Sequence, residues 1–73
     1  MRNKSKITPE YEIARQIIDA RLKQKMSQED LARKAKTGQA VISRLERMNA
    51  NPSLPLLKRI AQSLNTKITF TVP

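Results

Sequence analysis

The chain has 73 residues, with 15 Lys and Arg against 6 Asp and Glu and no His, so its formal charge is +9 at neutral pH. That length holds one small domain at most, and 17 Leu, Ile, Val and Phe residues allow only a thin core. The absence of Cys and His removes disulfides, thiolate nucleophiles, the commonest general base and the usual zinc ligands, so neither enzyme chemistry nor a metal site is expected. One glycine cannot build a dinucleotide fingerprint or a P-loop, and no cofactor is expected. No apolar run approaches the roughly 18 to 20 residues of a membrane span, and Arg2, Lys4 and Lys6 precede no apolar signal core, which implies a cytoplasmic protein. The surplus of cations attracts polyanions, either nucleic acid or anionic membrane.

Residues 1–8 carry three cations and no acid and read as a flexible basic arm, leaving residues 9–73 as the domain. Pro9, Glu10 and Glu12 suit a helix start. From Tyr11 to Lys25 the apolar residues Ile13, Ile17, Ile18 and Leu22 predict the buried face of an amphipathic helix. Ser27 and Asp30 form an acidic capping box, so a second helix is expected from Gln28, with Leu31, Ala32 and Ala35 inward. Lys36, Thr37 and Gly38 break the pattern. A third helix over Gln39 to Arg47 turns Ile42 and Leu45 inward and leaves Gln39, Ala40, Ser43 and Arg44 on the opposite face.

Met48 to Pro52 reads as a loop, after which Ser53 caps a fourth helix with Pro55 in its first turn and Leu54, Leu57, Ile60, Ala61 and Leu64 as its buried stripe. Asn65 is a left-handed helix stop. Ile68, Phe70 and Val72 then alternate with Lys67, Thr69 and Thr71, which predicts a short C-terminal β-strand. The expected fold is therefore mostly all-α, four helices and one strand.

Two short helices joined by a tight turn, flanked by longer ones, form a helix-turn-helix whose second member can enter the major groove of double-stranded DNA. Ser27 to Ala32, reading Ser-Gln-Glu-Asp-Leu-Ala, and Gln39 to Glu46, reading Gln-Ala-Val-Ile-Ser-Arg-Leu-Glu, resemble the Xre and lambdoid-repressor family over residues 23–65. Pro9-Glu10-Tyr11-Glu12, Asn51-Pro52-Ser53-Leu54 and the final Phe70-Thr71-Val72-Pro73 further resemble HigA-type antitoxins. The resemblance implies a lambda-repressor-like DNA-binding autorepressor that also binds a RelE-like ribonuclease toxin. It makes Gln28 a phosphate contact, and Gln39, Ala40, Ser43 and Arg44 the base-facing positions, beside the turn residues Lys36, Thr37 and Gly38. Arg47, Asn49 and Asn51 would meet phosphates.

The chemistry suits these roles, because Gln pairs with adenine, Arg with guanine, and the Ala40 methyl with a thymine methyl. Lys36 stands where a turn Gly is usual, so a strained left-handed conformation is expected there. Gly38 supplies no side-chain acceptor, so either Thr37 caps the third helix or its start is looser. Met26 and Met48 read as packing fillers, Glu46 as a partner of Arg or a backbone cap, and Arg15, Arg21, Lys58 and Arg59 as a solvated face. Tyr11 and Phe70 are too few aromatics for a base-stacking platform. A lone strand needs a second copy, so Ile68, Phe70 and Val72 are expected to form a homodimer that spaces two recognition helices about 34 Å apart. The rival expectations are a free-standing or phage-type regulator without a toxin, a protein-interaction module built on the first helix and the strand, and, last, a basic amphipathic module on membrane.

Overall fold

The computed structural model describes residues 8–70. They form α1 (Pro9–Lys23), α2 (Gln28–Lys34), α3 (Gln39–Glu46) and α4 (Leu54–Ser63), and α3 packs on both α1 and α2 while α2 also meets α4.

Three helix starts follow from local chemistry. The Thr8 hydroxyl accepts from the Tyr11 N–H, the Ser53 hydroxyl accepts from the Leu56 N–H, and Pro9 and Pro55 stand where a helix does not need an amide donor. Thr8 thus belongs to the helix cap rather than to a basic arm; the rest of the expected arm, residues 1–7, lies outside the described residues. At α2, Ser27 and Asp30 cap reciprocally, with Asp30 N–H to Ser27 Oγ at 2.9 Å and Ser27 N–H to Asp30 Oδ2 at 3.1 Å. Those bonds, chiefly the backbone one, hold the Asp30 carboxyl below its ordinary pKa.

All four helices end in the same way. Lys25, Lys36, Met48 and Asn65 each lie two residues past a helix, with φ of 56°, 58°, 60° and 55°. In every case that residue's N–H and the next one close on carbonyls of the last turn: Lys25 on Leu22 and Met26 on Arg21, Lys36 on Arg33 and Thr37 on Ala32, Met48 on Leu45 and Asn49 on Arg44, Asn65 on Gln62 and Thr66 on Ala61. These are four Schellman motifs, and none uses glycine at the left-handed position. A left-handed L-residue costs roughly 1–2 kcal/mol, less for Asn, so the fold carries this strain at Lys25, Lys36 and Met48.

The core gathers Ile13, Ile17, Met26, Leu31, Ala32, Ala35, Ile42, Leu45, Leu57, Ile60 and Leu64. Ala32 and Ala35 let helices approach closely. Five expected core or packing residues are outside it: Ile18 and Ala61 are half-buried, Leu22 is 59% exposed, Leu54 69% and Met48 49%. Leu22 sits about 140° around the helix from Ile17, whereas Arg21 sits about 40° away and occupies the inner face instead. Leu54 begins α4 beyond the reach of the core, and Met48 is a left-handed stop rather than a filler.

The expected β-strand is absent among the described residues. A strand needs a neighbour for its backbone groups, and a single chain supplies none here. Instead the segment lies along α1, where Gln16 Oε1 accepts from the Thr69 N–H at 2.9 Å and Gln16 Nε2 donates to the Thr69 carbonyl. Ile68 packs partly against the core, Phe70 is 39% exposed, and Val72 lies outside the described residues.

Candidate nucleic-acid interface

Helix α3 has two distinct sides. Ile42 and Leu45 are buried and hold it to the core. On the other side Gln39, Ala40, Arg44 and Arg47 are exposed and Ser43 is half-buried. Residues four apart lie above one another, so Gln39, Ser43 and Arg47 form one column and Ala40 and Arg44 the next. Arg47 donates to Ser43 Oγ at 2.6 Å, which steadies the first column. Arg44 has no ion-pair partner among the described residues, where the salt bridges involve only Arg15, Arg21 and Arg33.

The inner edge of the motif is tied by one carboxylate. Glu46 Oε2 accepts from Arg21 Nε at 2.8 Å, and Glu46 Oε1 accepts from Arg21 Nη2 at 3.0 Å and from Gln28 Nε2 at 3.0 Å. Arg21 also donates to the Met26 carbonyl at 2.9 Å. The two charged side chains are only 12% and 6% exposed, so the expected solvated Arg21 is in fact an interior one, and Glu46 pairs with Arg as expected. Arg21 goes inward because this fork of acceptors meets its donors; without them the desolvation cost would exclude it. The tie joins α1, α2 and α3, and the Gln28 amide nitrogen keeps a second N–H beyond the one given to Glu46.

Arg59 also departs from the solvated reading, since its Nε caps the Ala35 carbonyl at 2.9 Å. Arg15 pairs with Asp19 on the surface at 2.9 Å, and Lys58 is exposed. The α3 start is the looser of the two alternatives: Gly38 is the cap residue and no side chain bonds there, so Thr37 does not serve. Lys36 takes the expected left-handed conformation. Before α3, Lys36 and Gly38 are exposed and Thr37 is half-buried, and after it Asn49 and Asn51 are exposed. Helix α3 thus presents a polar outer face without a carboxylate, flanked by polar turns at both ends.

Sequence reasoning missed Arg21, Gln16 and Arg59 as structural donors. A signal existed only for Arg21, which falls on the apolar face of α1 by helical angle.

Among the described residues no helix is long and apolar enough to cross a membrane, and no group of acids could hold a metal ion. No curated protein matches the chain. Among solved structures the chain is similar to the wild-type restriction-modification controller protein C.Esp1396I, with 30% identity, a TM-score of 0.77, and coverage of 81% of this chain and 77% of that one. The same controller protein as a tetramer in complex with its natural 35 base-pair operator gives 30% identity, a TM-score of 0.76, and coverage of 81% and 78%. The controller protein C.AhdI from Aeromonas hydrophila shares the fold at 22% identity and a TM-score of 0.76, covering 80% of this chain and 88% of that one. These neighbours are controllers and not HigA-type antitoxins, so the antitoxin resemblance and the RelE-like partner gain no support. The helix-turn-helix family model matches residues 17–70, from the middle of α1 to the end of the described segment, and the chain belongs to that family.

Proposed function

We propose that the chain is a sequence-specific regulator of transcription that binds operator DNA as a homodimer, of the free-standing or controller type and without a toxin partner. The observation that carries this is the outer face of α3, where Gln39, Ala40, a half-buried Ser43 and an Arg44 without an ion-pair partner among the described residues turn away from the core with no acid among them. Arg44 suits a guanine and Gln39 an adenine in the major groove, while Arg47, Asn49, Asn51, the free N–H of Gln28 and the Lys36–Gly38 turn suit phosphates. Residues 47–73 contain no acid at all, so the loop after α3 and helix α4 add an attractive field. The controller protein named above binds its own operator as a tetramer. Ile68, Phe70 and Val72 are the dimerisation residues in this reading.

The test is fluorescence anisotropy on duplex from the region upstream of the gene against scrambled duplex, over a salt series. Gln39→Ala and Arg44→Ala are expected to lose about 1–3 kcal/mol of discrimination each while keeping the salt dependence. Equal binding to both duplexes, unchanged by the substitutions, overturns the reading and leaves only a response to net charge.

A further inference from the structure

The clamp between Gln16 and Thr69 decides which edge of the C-terminal segment is open. One carboxamide takes both the N–H and the C=O of Thr69, and it also donates to the Glu12 carbonyl at 2.8 Å. The two backbone groups of one residue point the same way only when that residue is extended. Each flanking peptide unit is trans, so its N–H and C=O point in opposite directions. The Ile68 carbonyl and the Phe70 N–H therefore point away from α1. Neither makes a hydrogen bond among the described residues.

We propose that these two groups pair with the same two groups of a second copy, in an antiparallel bridge whose two-fold axis passes between the two Thr69 residues. Each Phe70 N–H then donates to the Ile68 carbonyl of the other copy, and Thr69 faces Thr69 as a non-hydrogen-bonded pair. One donor and one acceptor placed symmetrically about a residue are self-complementary under a two-fold rotation, which selects a second copy as the occupant. Gln16 closes the opposite edge, so pairing stops at two chains instead of running on as a sheet. Phe70 lines a shallow apolar cleft with Pro9, Ile13, Leu54 and Leu57. Its 39% exposed ring and the 69% exposed Leu54 give the bridge an apolar margin to bury. This assignment rests on the dimeric regulator proposed above and names its contact and register.

The chain has no cysteine, so Thr69→Cys introduces a single thiol. A non-hydrogen-bonded antiparallel pair holds its Cα atoms about 4.5 Å apart, inside the range a disulfide spans. Under mild oxidation the full-length variant is expected to form a covalent dimer, whereas Lys67→Cys, whose two copies would lie about 13 Å out of register, is not. Gln16→Ala added to Thr69→Cys is expected to lose the covalent dimer. In the wild-type chain, which carries no folding risk, the Phe70 amide is expected to exchange about tenfold more slowly as concentration rises through the dimerisation range seen in sedimentation. A dimer in sedimentation with no Thr69→Cys bridge, with equal bridging at Lys67→Cys, or with an unprotected Phe70 amide overturns this contact and leaves the dimeric reading standing. A chain that stays monomeric both alone and on its operator overturns both.

Discussion

Helices α2 and α3 are neighbours of nearly equal length, yet the first uses its polar groups within the protein and the second, Glu46 apart, leaves them outside. At α2 the N-terminal N–H groups meet Ser27 and Asp30, Arg33 bonds Asp30 at 2.6 Å, and Gln28 reaches Glu46. At α3 no side chain caps the start, and Arg44 has no ion-pair partner among the described residues. The difference separates a helix that serves as support from one that offers donors to an anion or a base edge.

Breaking the tie between them is the largest expected effect. Glu46→Ala strands the Arg21 guanidinium in the interior and should cost about 3–5 kcal/mol, read as a fall in the urea midpoint. A variant replacing both Arg21 and Glu46 by Met and Leu should recover most of that loss, because the uncompensated charge is then gone. Recovery of nothing would mean that Arg21 contributes through its bond to the Met26 carbonyl rather than through the pair.

Relief of the left-handed strain is next. Lys36→Gly and Met48→Gly, at the C-terminal ends of α2 and α3, should each raise stability by about 1 kcal/mol, seen as a rise in Tm. Equal gains would show that the two helices differ at their starts alone. Ser27→Ala should cost about 1 kcal/mol at α2, a loss with no counterpart at α3.

The start of α3 offers the smallest change in stability and the sharpest contrast in function. A Cβ at Gly38 meets nothing within 4 Å, and its φ of −84° suits any residue. Gly38→Asp should therefore add a few tenths of a kcal/mol by capping α3, while weakening DNA binding in anisotropy through repulsion of phosphate. A variant that is more stable and binds as well as wild type would remove α3's open start from the interface.

Acid should erase the distinctive start of α2. The native pKa of Asp30 is lowered, so its contribution is present above the ordinary carboxylate value near 4 and is lost as pH falls through the lower native value. The Tm difference between wild type and Asp30→Ala should narrow over that interval and persist at neutral pH.

Local signals were readable where a residue type itself favours the conformation it takes within one turn of chain. The caps at Ser27 and Ser53, Pro9 and Pro55, the left-handed stop at Asn65, and the polar outer face of α3 all correspond to patterns that span three or four residues, whereas the left-handed Lys36 followed only from the family resemblance, in which a turn glycine is usual at that place. The stops at Lys25 and Met48 were not readable, because a lysine or methionine carries no preference for the left-handed region and takes it only when the closing hydrogen bonds repay the strain. The predicted strand illustrates the opposite error. Alternation at Ile68, Phe70 and Val72 describes a segment suited to pairing, but pairing is a property of two strands and one chain provides one.

The sequence by itself determined where helices start, which residues of α2 and α3 face inward, and that α3 shows a basic, acid-free outer surface, since each depends on periodicity and neighbours within a turn. Tertiary structure alone decided that the acceptor of Arg21 would be Glu46, 25 residues away, and that Gln16 would clamp Thr69, 53 residues away. A charged or amide side chain enters the interior only where the folded chain brings acceptors to match its donors, and no local pattern encodes that meeting.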